Sequence, residues 1–135
     1  GWGGANNVGS IVRLRLQPDE IPAGLAEVRA AADGFTLRFT RPVDPQLAAD
    51  PANYSISSYT RVATPAYGGP DKDRRQESIQ ELELSDGGRE VRVRLPELRE
   101  GYVYDIRLKR LVPDGQPFFP AEAFYTLNRI PAAGR

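Results

Sequence analysis

A period of two runs through most of this chain, and it limits the fold more than any other feature. Phe35, Leu37 and Phe39 point one way with Thr36, Arg38 and Thr40 the other, and Val91, Val93 and Leu95 alternate with Arg92 and Arg94 in the same manner. Successive side chains of an extended strand face opposite sides, so these runs predict strands with one apolar and one wet face. Similar alternation occurs at Val12-Leu14-Leu16, Ala26-Val28-Ala30, Tyr54-Ile56, Leu82-Leu84, Tyr102-Tyr104-Ile106-Leu108 and 124–127. Apolar residues at helical spacing appear only in short pieces, so the chain reads as all-β.

The punctuation between the runs is regular. Asp33-Gly34, Ser85-Asp86-Gly87-Gly88 and Pro113-Asp114-Gly115 are turn sequences that tolerate positive φ or start a tight reversal, which joins neighbouring strands as hairpins. Residues 44–49 predict a single helical turn with Asp44 as N-cap and Pro45 at the first helical position, ended by Asp50-Pro51. Apart from the first run, seven strands remain, starting near 26, 35, 54, 79, 90, 102 and 122. That number and spacing suit an immunoglobulin-like (fibronectin III-like) β-sandwich. Leu98, Gly101 and Tyr104 have the spacing of a tyrosine corner, in which a tyrosine near the start of the penultimate strand hydrogen-bonds backbone a few residues upstream.

Residues 17–24 contain two prolines and no alternation and read as a linker, which places a boundary near residue 24. The organisation is then a segment 1–24, glycine-rich at its start and holding a lone strand at 9–16, a sandwich over 25–131 and a short tail at 132–135. A lone strand is not stable, so the partner of 9–16 is expected in the sandwich or in another domain. The absence of methionine and the mid-pattern start at Gly1 suggest a segment of a larger polypeptide.

Composition narrows the function. The 135 residues include no histidine, cysteine or methionine, which removes Ser-His-Asp and Cys-His catalysis, thiol chemistry and soft-metal ligation. Eighteen basic residues balance eighteen acidic ones, and both halves of the chain are balanced, so no nucleic-acid footprint appears. No apolar run approaches the ~20 residues of a spanning helix, and membrane insertion is not expected. No catalytic residue, cofactor site or metal site is expected, and the chain reads as a non-enzyme.

Four groups of residues are candidate sites. Asp71, Asp73 and Glu77 offer oxygen ligands for a weak calcium site, but Lys72, Arg74 and Arg75 lie among them and the pattern is not that of an EF-hand, so a solvated loop is the expectation. The acids Glu81, Glu83 and Glu90 lie on wet strand faces, and Asp33, Asp86 and Asp114 in turns, where they suit solubility better than glycoside hydrolysis. Arg92 and Arg94 share one face with Glu81 and Glu83 available opposite them. The stretch 57–70 is too long for a simple hairpin, and with Trp2, Tyr59, Tyr67, Gly68, Gly69 and Pro70 it makes a candidate interaction loop whose flat rings could meet a neighbouring domain or stack on sugars.

Several pieces together resemble a known context: Gly-Trp-Gly-Gly at 1–4 followed by Gly9-Ser10-Ile11-Val12-Arg13-Leu14, then Asp33-Gly34-Phe35, Pro42-Val43-Asp44 and Asp50-Pro51-Ala52-Asn53-Tyr54. Ala66-Tyr67-Gly68-Gly69-Pro70, 98–104 and Tyr125-Thr126-Leu127-Asn128-Arg129-Ile130-Pro131 follow. Their order resembles the Ig-like module that follows the β-propeller in secreted bacterial proteins related to glucose/sorbosone dehydrogenases, several of which carry cytochrome c or other haem domains. The resemblance implies an extracytoplasmic (periplasmic or secreted) accessory domain whose partner is a neighbouring domain of the same polypeptide, with residues 1 to about 16 as the tail of the last propeller blade or its exit strand. It carries no catalysis over, because the propeller's catalytic histidine and quinone-binding residues have no counterpart here. The alternative is a carbohydrate-binding module that stacks polysaccharide on Trp2, Tyr59 and Tyr67.

Overall fold

The alternating runs fold as strands, and their apolar sides meet. The computed structural model describes residues 11–66 and 68–133. Among these, the strands are β1 (Leu25–Ala31), β2 (Gly34–Phe39), β3 (Tyr54–Arg61), β4 (Asp71–Gln76), β5 (Glu81–Ser85), β6 (Glu90–Arg94), β7 (Tyr102–Leu108) and β8 (Glu122–Leu127). They form two antiparallel sheets of order β1-β2-β6-β5 and β4-β3-β7-β8, the arrangement of a β-sandwich.

The core is the set of residues that alternation assigns to the inner faces. Phe35, Leu37 and Phe39 of β2, Val91 and Val93 of β6, Ile56 of β3 and Ile106 of β7 are buried together with Leu95, Tyr104, Leu111 and Leu127. Each such side chain withdrawn from water contributes about 1.5–3 kcal/mol before chain entropy is counted. The rings of Phe35 and Tyr104 stand 4.8 Å apart, and those of Phe35 and Tyr125 5.5 Å in an edge-on arrangement, which ties the two sheets across the middle.

Asp44 caps a short helix, α1 (Pro45–Ala49): its carboxylate accepts from the N–H groups of Gln46 at 2.9 Å and Leu47 at 3.0 Å. Pro45 needs no hydrogen bond at the first helical position. Asp50 ends α1 and caps the following turn at Pro51–Asn53, accepting from Ala52 N–H at 2.9 Å. Tyr54 then donates its hydroxyl to Ala48 O at 2.7 Å, and burial pushes its phenol well above the ordinary tyrosine range.

Three expectations need correction. The strand at 9–16 is not formed over its described part: residues 11–16 take no strand pairing and are exposed. Residues 17–24 are not a free linker. Pro18–Glu20 forms a turn held by Arg41, whose Nη2 donates to Pro18 O at 3.0 Å and Asp19 O at 2.7 Å. Ala23 is buried and bridges Phe118, and Gly24 lies so close to the opposite chain that a Cβ there would meet Phe119 O at 2.0 Å. Finally, there are eight strands rather than seven among the described residues, because Asp71–Gln76 pairs with β3 instead of forming a solvated loop. Its charged side chains hid the strand from a search for apolar alternation.

Candidate functional site

The densest polar structure lies where β3, β4 and β7 meet, and it is organised by a break in the β3–β4 register. Ser58 pairs with Arg75 and Thr60 with Lys72, so Asp73 and Arg74 together oppose the single residue Tyr59. This is a β-bulge on β4, and Asp73 occupies the left-handed region at φ 56° to make it. The bulge re-aims two arginine-carboxylate groups, one on each face of the sheet.

On the outer face the Arg74 guanidinium lies 4.2 Å from the centre of the Tyr59 ring, with Arg61 at 5.8 Å. Arg74 also donates to Ser57 Oγ at 2.7 Å, Asp71 Oδ2 at 2.8 Å and Asp105 Oδ2 at 3.4 Å. Asp105, a buried carboxylate, takes a second pair of bonds from Arg107 at 2.9 and 3.3 Å. Arg74's hydrogen bond, followed by the charge of Arg61, holds the Asp71 carboxyl below the usual aspartate range.

Towards the inner side, Ser58 is fully buried and donates to Glu77, which also accepts from Arg75 Nε at 3.1 Å. Arg99 reaches in from the turn before β7. It donates to Ser58 Oγ at 3.0 Å and Asp73 O at 3.1 Å, pairs with the Asp73 carboxylate, and lies 3.6 Å from the centre of the Tyr102 ring. The Tyr102 hydroxyl donates to Asp73 Oδ2 at 2.6 Å, and this bond, ahead of the Arg99 charge, lowers the Asp73 carboxyl. The backbone N–H of Arg99 donates to Tyr104 Oη at 2.7 Å, Gly101 N–H donates to Leu127 O at 2.7 Å, and Leu98 packs against the core. Leu98, Gly101 and Tyr104 thus form a corner that also fixes the backbone of the arginine organising the cluster.

The sequence-based candidates distribute unevenly over this arrangement. Tyr59 is a correction: it is a strand residue only 3% exposed, roofed by Arg74, and offers no face to a sugar or a partner. Asp71, Asp73 and Glu77 are divided between the two faces and each is engaged by an arginine, and no group of three acids suited to a cation occurs among the described residues. Trp2 and Tyr67 lie outside the described residues. Gly68, Gly69 and Pro70 close the shortened loop between β3 and β4: Val62 N–H donates to Pro70 O at 3.4 Å, and a Cβ on Gly69 would meet Val62 O at 1.7 Å. Closure of a hairpin therefore accounts for the Gly-Gly-Pro sequence.

The other wet face follows the cross-strand charge pattern. The register sets Glu81 opposite Arg94 and Glu83 opposite Arg92. Arg94 pairs with Glu81, and Arg92 Nη2 donates to Asp33 Oδ1 at 2.8 Å, which lowers the Asp33 carboxyl. An open hollow of about 530 Å³ at one end of the sandwich is lined by Pro18, Asp19, Thr40, Arg41, Pro42 and Arg89. Its two guanidiniums are already committed to the carbonyls of Pro18, Asp19 and Thr40.

Chemically, these groups neutralise one another. A carboxyl serving as general acid needs its proton held more tightly than usual, whereas Glu27, Asp33, Asp71 and Asp73 are all shifted the other way by hydrogen bonds from arginine or tyrosine. Arg74, Arg99 and Asp105 were not singled out in the sequence. The sign alternation around β4 was the one available signal for Arg74, and nothing local marks Arg99 or Asp105 as its cross-strand partners.

No family model and no curated protein matches the chain. Solved structures do. The crystal structure of the S-layer protein rSbsC(31-844) matches with a TM-score of 0.58 at 25% identity, covering 83% of this chain and 14% of that one. The structure of surface layer protein SbsC, domains 1–6, matches with a TM-score of 0.59 at 24% identity over 84% of this chain and 15% of that one. The N-terminal part of the bacterial S-layer protein SbsC gives 0.58 and 24%, over 82% of this chain and 24% of that one. The chain therefore spans less than a quarter of each of these proteins, and all three are S-layer structures rather than dehydrogenase-associated modules.

Proposed function

We propose that the chain is a non-catalytic sandwich module of a larger extracytoplasmic bacterial protein, whose work is to space and dock neighbouring domains. The observation that carries this reading is the fold likeness to S-layer proteins, in which one unit of this size is a small part of a long polypeptide. The strand order β1-β2-β6-β5 against β4-β3-β7-β8 supports an immunoglobulin-type sandwich with one added strand at β4. Such a sandwich holds its two ends at a fixed separation.

The interior chemistry supports the same reading. Its buried polar groups, Ser58, Glu77 and Asp105, are each engaged by hydroxyl or guanidinium partners, an arrangement that fixes an edge strand and leaves no activated nucleophile. No helix among the described residues is long and apolar enough to cross a membrane. The polysaccharide reading loses Tyr59 as a stacking surface, and the rings exposed among the described residues, Phe119 and Phe124, lie at and before β8, away from the loop proposed to stack on sugars.

The test has two arms. In intact cells of the source bacterium, the parent polypeptide should be degraded by added protease, or released with the periplasm, while a cytosolic marker survives. The purified chain should show no turnover of dehydrogenase, esterase or glycosidase substrates. Full protection of the polypeptide with the cytosolic fraction, or turnover abolished by a single carboxylate substitution, would overturn the proposal.

A further inference from the structure

A sandwich has four edge strands, and in this one they are not equally defended against pairing with another chain. β4 carries charges at Asp71, Lys72, Asp73, Arg74 and Arg75 and a bulge at Asp73-Arg74. β1 has a register shift at Ala26 and the charged pair Glu27 and Arg29. β5 alternates Glu81 and Glu83 with leucine and has α1 packed beside it. β8 differs: its only charge is Glu122 at the first position, followed by Ala123, Phe124, Tyr125, Thr126 and Leu127 in unbroken register with β7. Phe124 is 57% exposed, and a cleft of about 250 Å³ between β8 and β1 has Leu25, Val28, Glu122, Ala123, Phe124 and Tyr125 in its lining.

One segment of the same chain matches that edge. Residues 11–16, Ile-Val-Arg-Leu-Arg-Leu, alternate apolar and basic side chains, and Ile11, Val12, Leu14 and Leu16 are all strongly exposed. Laid antiparallel along β8 with Arg15 opposite Glu122, the segment places Arg13 opposite Phe124, Leu14 opposite Ala123 and Val12 opposite Tyr125. The face bearing Glu122 and Phe124 then receives both guanidiniums, one as an ion pair and one over an aromatic ring. The inward-facing positions Ala123 and Tyr125 receive the two aliphatic chains. Glu122 stands opposite Arg107 of β7, but that guanidinium donates to Asp105, and no ion pair engages Glu122 within 4 Å among the described residues. The same chain holds 11–16 away from its own β8, because Arg41 fixes the carbonyls of Pro18 and Asp19 and the six residues before them stand clear of the sandwich.

We propose that residues 11–16 of one chain add as a fifth strand to β8 of a second copy of this chain, so that copies associate head to tail. This rests on the module reading above and names its partner. The contact is heterologous, so it propagates to a ring or a filament rather than closing as a two-fold dimer.

Sedimentation velocity and light scattering of the full chain across micromolar to millimolar concentration test it. The mass should rise with concentration past that of a dimer. Arg13→Glu with Arg15→Glu should weaken association by about tenfold or more, the summed loss of the ion pair and the ring contact, and separately Glu122→Arg should weaken it by about threefold or more through loss of the ion pair and repulsion of Arg15. Combining the three substitutions should recover part of it. All three positions are exposed, so each variant should keep the parent thermal midpoint, and Glu83→Arg on the β5 edge should leave association unchanged. A monomer at every concentration would overturn the proposal. So would association insensitive to Arg13, Arg15 and Glu122, or weakened by Glu83→Arg instead. Amide protection at 123–125 that responds to the arginines within a monomer would also overturn it, by placing the strand on its own sandwich. None of these outcomes touches the cell-fractionation test of the module reading, and a cytosolic location would remove that reading while leaving association as measured.

Discussion

Tyr104→Phe isolates the corner on which the β3–β4–β7 region is built. The substitution removes one oxygen and leaves the ring, with its 4.8 Å packing against Phe35, in place. The Arg99 N–H, 2.7 Å from that oxygen, loses its acceptor. A typical hydrogen bond contributes about 0.5–1.5 kcal/mol net, and an amide left without a partner in a partly buried site costs about 1–3 kcal/mol. The Arg99 backbone is partly buried, so water restores some of the loss, and about 1–2 kcal/mol is expected. For a domain of this size that lowers the thermal midpoint by about 3–8 °C. It lowers the urea midpoint by about 1 M at unchanged slope. Burial pushes the Tyr104 phenol above its ordinary range, so the hydroxyl is present across neutral and mildly alkaline pH and the difference from the parent should be constant there. Tyr102→Phe is the internal comparison: its hydroxyl serves Asp73 at an exposed site, and less than about 0.5 kcal/mol should be lost. Urea unfolding followed by tyrosine fluorescence reads both. A Tyr104→Phe effect below about 0.3 kcal/mol, or a larger effect at Tyr102 than at Tyr104, would refute the claim that the corner fixes Arg99.

Gly24→Ala should unfold the chain or lower its thermal midpoint by more than 10 °C on the scale of about 3–4 °C per kcal/mol, because the new Cβ would stand 2.0 Å from the Phe119 carbonyl; a melt within 3 °C of the parent would show that the two segments separate freely. Asp44→Ala removes the acceptor of two N–H groups of α1 and should lower stability by about 1 kcal/mol in urea titration, with Asp44→Asn recovering most of it. Asp33, Asp71 and Asp73 have folded-state carboxyls held below their ordinary value, so their contribution is whole above the unfolded value near ~4 and drains away as pH falls through the lowered folded values. Acid unfolding should therefore begin only below about pH 4, and an unfolding transition centred above pH 5 would contradict the assignment.

The fold was legible because its core strands carry their burial in the spelling. Phe35-Leu37-Phe39 and Val91-Val93-Leu95 each put every second residue inside, and cross-strand partners need only be apolar to be recognised. The cap at Asp44 and the hairpin turn at Asp33-Gly34 were readable for a related reason, since both depend on residues adjacent in sequence. β4 was not legible. Its strand identity comes from backbone pairing with β3 and from guanidiniums that find carboxylates on β7 and in the turn before it, contacts between residues 22 to 31 positions apart. A charged edge strand has no apolar face to advertise, so it resembles a loop until its partner is known. Tyr59 failed for the converse reason: a tyrosine near a predicted loop looks available, and only the bulge at Asp73 reveals that Arg74 covers it.

The same contrast bears on how such a module would work in series. An edge that is heavily charged and bulged, as β4 is, gains its order from within its own chain and resists a second strand, because the bulge breaks its backbone ladder and Asp71, Asp73, Arg74 and Arg75 are paired within the chain. An edge such as β8 leaves Phe124 in water and a single carboxylate, Glu122, whose cross-strand neighbour Arg107 is hydrogen-bonded to Asp105 instead. Apolar surface of that kind on a strand edge is a hazard unless something covers it. The arginine-leucine alternation at 11–16 is hazardous in the same way and complementary in charge. Retaining both features in one chain is stable against indiscriminate aggregation only if each finds the other first. Glu122 is then the residue that selects the partner, and Phe124 the one that holds it.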